Sequence, residues 1–257
     1  MFQFLVFIRP CALQAQQFLA ARGPRKLNAV LTAVFCAAAS SAAHAGRPMA
    51  TDDAAVLDEG ACQLEAWTEH SSALNTSWLN PSCNPFGATE FALGAARQQD
   101  RRDSAANTTL MSWQVKHLLR AYDEQQTGFA IATGGQHARA GGDNEIFIKG
   151  IATMPLQGDR LLAHVNAGGI RQRDQRSGNY RGTWGMALDA EVAAGTRASI
   201  ETFGVTSTGA NWQLGLRREL IRDRLQLDAS IGSPFGRWTQ GRIVTLGLVF
   251  VTPSLKH

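Results

Sequence analysis

From about residue 61 onward, polar and apolar residues alternate through one short segment after another. Trp184, Met186, Leu188, Ala190 and Val192 interleave with Gly185, Ala187, Asp189 and Glu191. Leu225, Leu227, Ala229 and Ile231 do the same with Gln226, Asp228 and Ser230. Side chains alternate faces along a strand, so each window makes a ribbon with one oily and one wet side. Eleven such segments can be read: ACQLEAWTE, GATEFALGAA, TTLMSWQVKHLL, GFAIATGG, NEIFIKGIATM, RLLAHVNAGGI, TWGMALDAEVA, RASIETFGV, NWQLGLRREL, RLQLDASIG and RIVTLGLVFV. Gly, Asp, Asn, Ser and Arg punctuate them. Connections are short at Ala194-Gly195 and Arg222-Asp223, and long at Ser71 to Phe86 and Asp174 to Tyr180. This pattern predicts an all-β, antiparallel, up-and-down transmembrane β-barrel. Closure needs an even strand number, so the expectation is about 12, with 10 as the alternative.

One segment is ambiguous. In WQVKHLLRAYDE, Val115, Leu118, Leu119 and Tyr122 also fit helical spacing. The β reading puts Met111, Trp113, Val115 and Leu119 outward and Ser112, Gln114 and Lys116 inward, and the neighbouring strands favour it. The last segment presents Val244, Leu246, Leu248 and Phe250 on one face, but VTPSLKH follows Phe250 where such barrels often end on an aromatic residue.

The first 45 residues read as a signal peptide with an N-terminal extension. Arg22, Arg25 and Lys26 form a basic region, Leu27 to Ala39 an apolar one, and Ala43-His44-Ala45 a small-x-small cleavage pattern. Cys36 follows the bulky Phe35, which argues against a lipoprotein signal. The leader also changes the charge picture. The whole chain has 25 Lys and Arg against 21 Asp and Glu. The leader holds Arg9, Arg22, Arg25 and Lys26 and no carboxylate, so the remaining 212 residues balance at 21 against 21. No nucleic-acid footprint survives. Neither is there a run of roughly 18 apolar residues outside the leader, so no membrane helix is expected. Residues 46–60 read as a polar periplasmic lead-in and 61–257 as the barrel.

Cys62 and Cys83 remain after cleavage. An oxidising compartment makes a disulfide between them the expectation, closing a loop of 20 intervening residues. The chain-entropy model assigns that about 3 kcal/mol.

The opening Arg47-Pro48-Met49-Ala50-Thr51-Asp52-Asp53-Ala54, then Gly60 and Cys62-Gln63-Leu64-Glu65-Ala66-Trp67, resembles a bacterial family. These are the outer-membrane proteins associated with phenol (meta-pathway) degradation, whose mature chains open with an Arg-Pro-x-x-Thr-Asp-Asp-Ala block. Asn166-Ala167-Gly168, Thr183-Trp184-Gly185 and Glu201-Thr202-Phe203-Gly204 are similar to that family as well. The resemblance implies an outer-membrane barrel and a transporter-like role, with no catalytic residues.

By parity the wet face collects Glu65, Glu90, Lys116, Lys149, Asp189, Glu201, Arg217 and Asp228. They could line a conduit or form a mutually neutralising network that fills a narrow barrel; the second is the simpler reading. Asp52 and Asp53 beside Thr51 could hold Ca²⁺ or anchor an N-terminal plug, but a local Asx or ST turn is favoured. Calcium wants six or more oxygens, and no loop spacing supplies them. His164 with Asn166, His117, His137, and Ser199 with Glu201 are the residues from which an outer-membrane lipid hydrolase would have to be built, yet no nucleophile motif marks them. Trp67, Trp78, Trp113, Trp184, Trp212 and Trp238 suggest interfacial girdles. Strict parity would turn Trp67 inward, and a β-bulge reversing the register there is the simpler explanation.

The expectation is a monomeric outer-membrane barrel acting as a passive conduit, needing no cofactor or metal, with small apolar or aromatic solutes as the cargo that the family resemblance implies. A sealed structural barrel, a lipid-modifying enzyme and a soluble lipocalin-like barrel are the alternatives.

Overall fold

The computed structural model describes residues 47–139, 144–172, 179–206 and 209–254. The expected signal peptide, residues 1–45, lies outside these described residues, as does most of the expected long loop at 174–180.

Twelve strands close into one antiparallel barrel. They are β1 (Cys62–Ser71), β2 (Leu74–Cys83), β3 (Thr89–Asp100), β4 (Thr108–Arg120), β5 (Gly128–Ala138) and β6 (Glu145–Pro155), followed by β7 (Leu161–Gln172), β8 (Asn179–Ala193), β9 (Thr196–Val205), β10 (Gly209–Ile221), β11 (Leu225–Pro234) and β12 (Ile243–Val251). Each pairs with its neighbour in sequence, and β1 closes on β12 from Gln63↔Val251 to Ser71↔Ile243. The only helical pieces among the described residues are a 3-10 turn at Ser104–Ala106 and α1 (Trp238–Gly241). An even strand count brings the start of β1 and the end of β12 to one rim, here the terminal end; the opposite rim is the distal end.

Eleven strands coincide with the segments read from the sequence. The twelfth, β2, lies inside the stretch from Ser71 to Phe86 that reads as a long loop, and that expectation is corrected here. Its outward positions are Asn75, Ser77, Leu79 and Pro81, so it has almost no oily face to announce it. Pro81 also lacks an N–H, and the ladder to β3 is interrupted between Leu79↔Ala95 and Ser82↔Ala92.

Sidedness follows the alternation. Leu93, Met111, Ile146, Leu216, Leu246 and Leu248 are exposed on the outer wall, while Asp189, Glu201 and Asp228 are 2%, 3% and 1% exposed on the inner one. The soluble lipocalin-like alternative required the reverse, and it fails on this point. The segment WQVKHLL is strand, with a register shift between Leu118 and Arg120. No bulge occurs in β1: Trp67 stays in register with Gly247 on one side and Trp78 on the other. Both tryptophans face the lumen, which corrects the bulge at Trp67 and the girdle position of Trp78. Their rings stack with centroids 5.4 Å apart.

Cys62 and Cys83 are directly opposed on β1 and β2 and form a disulfide, with Cα atoms 4.0 Å apart. It ties together the hairpin at the terminal end.

Candidate functional site

The lumen is not empty. Residues 47–60, read from the sequence as a polar lead-in, run along the inner wall before turning into β1. The turn is made at Gly60, whose φ of +79° is in the left-handed region that suits glycine. Such an extended segment leaves its backbone groups without ladder partners, and inside a barrel each must find one on the wall. The wall supplies them in sequence around the circumference.

At the start, Arg47 reaches Asp228 on β11 at 3.4 Å and lies 4.1 Å from the centre of the Trp67 ring. Gln213 on β10 donates to the Pro48 carbonyl at 2.6 Å. Glu201 on β9 then acts as the central clamp. Its carboxylate accepts the backbone N–H of Ala50 at 2.9 Å and 3.1 Å, that of Thr51 at 2.8 Å, and the Gln213 amide at 3.0 Å. Asn166 on β7 grips Asp52 twice, accepting its N–H and donating to its carbonyl, both at 2.8 Å. The Ala54 N–H donates to Thr153 on β6 at 2.8 Å, and the Leu57 N–H to Glu90 on β3 at 3.0 Å.

Ion pairs add to these bonds. Lys149 on β6 meets Asp52 at 2.6 Å, and Lys116 on β4 meets Asp53 at 3.3 Å. Asp53 also accepts the N–H of Ala55 at 2.9 Å, so the expected Asx turn is formed and serves the plug at the same time. Hydrogen bonds to charged groups contribute about 1.5–3 kcal/mol each, and their value is highest where water is excluded. Apolar contacts complete the seat: Ala54 packs among Ala130, Ala132 and Ile151, and Leu57 with Ala61, Val249 and Val251. Thr51, Asp53, Ala54 and Leu57 are all buried.

Two glycines let the segment lie this close. A side chain at Gly185 would begin 2.7 Å from the Thr51 hydroxyl, and one at Gly215 would begin 2.7 Å from the Pro48 ring.

The eight wet-face residues therefore divide by partner. Glu90, Lys116, Lys149, Glu201 and Asp228 contact the N-terminal segment. Asp189 and Arg217 contact each other at 2.6 Å, with Arg197 also on Asp189 at 3.1 Å, a wall-to-wall network. Glu65 accepts from Asn80 at 3.1 Å. Among the residues read at the opening of the chain, Arg47, Pro48, Thr51, Asp52 and Asp53 all sit in the lumen.

Among the described residues, His164 and His117 each bond a threonine and not Ser199 or a carboxylate. His164 is 1% exposed and bonded through Nδ1 to Thr153 at 3.0 Å. Its strand neighbour Asn166 is committed to Asp52. His117 is on the outer face, bonded to Thr89 at 2.9 Å. Ser199 and Glu201 share the inner face, with Glu201 occupied by plug N–H groups. Among the described residues no three His, Cys, Asp or Glu side chains are placed to hold a metal ion.

Toward the distal end the lumen widens above the segment into a vestibule of about 270 Å³. Its floor includes Ala50, Thr51, Lys149 and Asn166, and its walls carry Phe147, Ile170, Phe203 and Val205. These apolar residues share the parity of the wet face. Parity alone could have found Phe147, two residues before Lys149, and Phe203, two after Glu201. Asn166, Thr153 and Gln213 carry no such signal, because uncharged polar residues are expected anywhere on a wet face.

Three solved structures have the same architecture. The COG4313 outer membrane channel from Pseudomonas putida F1 superimposes with a TM-score of 0.61 at 12% identity, covering 78% of this chain and 98% of that one. The KdgM porin in complex with disordered oligogalacturonate gives 0.57 at 9% identity over 73% and 98%. The NanC porin gives 0.54 at 9% identity over 74% and 98%. A closed barrel with an apolar exterior pairs its strands edge to edge all the way round without water, which a bilayer demands. The protein is accordingly a bacterial outer-membrane barrel. No curated protein matches the sequence. A family profile does match residues 33–249, and the chain belongs to the family described as uncharacterised conserved protein UCP029691.

Proposed function

We propose that the protein is a monomeric outer-membrane channel for small solutes, closed in this state by its own N-terminal segment. The observation that carries this reading is that the obstruction is a separate stretch of chain. A barrel sealed for stability alone would be filled by its wall side chains. Here the wall instead offers a track of acceptors and cations to a segment with one covalent attachment, at Gly60, among the described residues. Water can replace each polar and ionic partner once the segment leaves its seat, which favours a segment that undocks over a permanent filling of the lumen.

The solutes proposed are small apolar or aromatic molecules. Support comes from the resemblance of the opening block to the phenol-degradation family and from the stacked Trp67 and Trp78 in the lumen. No cofactor enters the mechanism: solute diffuses along the wall when the segment shifts. The Asp189, Arg197 and Arg217 network favours a second reading, a sealed structural barrel, because it ties β8 to β9 and β10 through side chains of the wall itself.

A reversible lock separates the two. A Cβ placed on Gly185 lies 3.4 Å from the Thr51 Cβ, near the spacing of roughly 3.5–4.5 Å that a disulfide uses. The double variant T51C/G185C is reconstituted in liposomes and swelling with phenol-sized solutes is measured. Swelling lost on oxidation and recovered on reduction is the expected result. Equal swelling in both states would remove the N-terminal segment as the gate, and none in either, with none for the wild type, would leave the sealed barrel.

A further inference from the structure

The vestibule joins two features, a patch of apolar wall and a cation at its base. Phe147, Ile170 and Phe203 surround it, and Lys149 stands on its floor. The Lys149 ammonium lies 5.2 Å from the centre of the Phe147 ring and 2.6 Å from Asp52. Among the ion pairs that hold the plug, this one is the most open to the vestibule: the side chains of Lys149 and Asp52 are 19% and 25% exposed, against 9% and 4% for Lys116 and Asp53. A solute arriving from the distal end therefore meets the Lys149–Asp52 pair before the other two ion pairs of the plug.

We infer that the vestibule binds a small amphipathic monocarboxylate, whose carboxylate takes Asp52's place on Lys149 while its apolar body rests on Phe147, Ile170 and Phe203. This deepens the channel reading and rests on it for the direction of entry. The chemistry is an exchange of anions on one ammonium. Asp52 keeps its two backbone bonds to Asn166 and turns its carboxylate into the vestibule, where water reaches it. Desolvation of the incoming carboxylate is limited for the same reason, and the apolar body supplies what a free anion lacks. A bare acetate has no such body, and a neutral amide of the same shape has no charge for Lys149. The plug loses one of its two carboxylate–lysine ties, so the solute loosens the segment that blocks its way.

Isothermal titration of the full-length protein in detergent, with benzoate, benzamide and acetate as probes, tests this. Benzoate is expected to bind about tenfold or more tightly than either of the others, the scale of one favourable charge contact in a partly desolvated site. K149Q should erase the difference between benzoate and benzamide. D52N should do the opposite and tighten benzoate binding severalfold, because it removes the competing anion; a purely structural role for Asp52 would give no gain. Heat-modifiable gel migration checks that each variant is folded. Equal affinity for benzoate and benzamide in the wild type, or wild-type benzoate affinity in K149Q, overturns the inference. Swelling of T51C/G185C liposomes reports separately on the channel, so a vestibule that fails to discriminate and a barrel that fails to conduct are distinct results.

Discussion

At the scale of single residues, Glu201 is the centre of the plug's attachment. One carboxylate receives two successive backbone N–H groups and a side-chain amide at 2.8 Å to 3.1 Å. Removing it leaves buried donors unpaired, which costs about 1–3 kcal/mol per group. E201A should therefore shift the segment toward an undocked state. The check is maleimide labelling of T51C, slow in an otherwise wild-type chain because Thr51 is 1% exposed, and at least tenfold faster when E201A is added. Equal rates would mean that Glu201 is not what holds the segment. Parity alone placed Glu201 on the wet face, since its neighbours Ile200 and Thr202 flank it on the other. It could not say that Glu201 would face backbone amides instead of a lysine. A carboxylate accepts from either, and the choice depends on which chain crosses the lumen in front of it.

At the scale of elements, the hairpin β1–β2 both closes the barrel against β12 and receives the plug. Its disulfide ties the start of one strand to the end of the next, beside Gly60 and Leu57. Mutating both cysteines to serine should lower unfolding stability by about 2–4 kcal/mol, read as a lower urea midpoint for loss of heat-modifiable migration in detergent. An unchanged midpoint would mean that strand pairing alone pins the hairpin. This hairpin is also where legibility ran out. Strand β1 alternates clearly and β2 does not, because Asn75, Ser77 and Pro81 occupy outward positions where lipid-facing residues would be expected. It is held as a strand by β1 and β3 on either side, a neighbour effect that its own composition does not encode.

At the scale of the whole molecule, the outer wall is an apolar surface and the inner wall a polar one that is largely covered. Charge on the outer face is costly in a depth-dependent way, about 2–4 kcal/mol for Arg or Lys near the bilayer midplane. Leu248 on β12 is an outward residue in the middle of its neighbours Leu227 and Ala66. L248R should therefore reduce folding into liposomes by an amount in that range. T245R, on the inner face of the same strand three residues earlier, should instead perturb the lumen and leave the lipid-facing belt intact. Comparable insertion losses for both would contradict the sidedness described here.

The period of two determined by itself that this chain is β and, outside β2 and the Trp67 position, which residues meet lipid. Alternation is a property of each strand's own backbone, so it survives without knowledge of the neighbours. The cysteine pair and the even strand count were within its reach for similar reasons of local chemistry and closure. What occupies the interior was decided only by tertiary structure. Residues 47–60 have no periodicity, and their order comes largely from distant partners, such as Glu90 for Leu57 at 33 positions and Asp228 for Arg47 at 181. A polar segment becomes a plug only when a closed wall surrounds it with donors and acceptors at the right height, and that arrangement exists only once the barrel has formed.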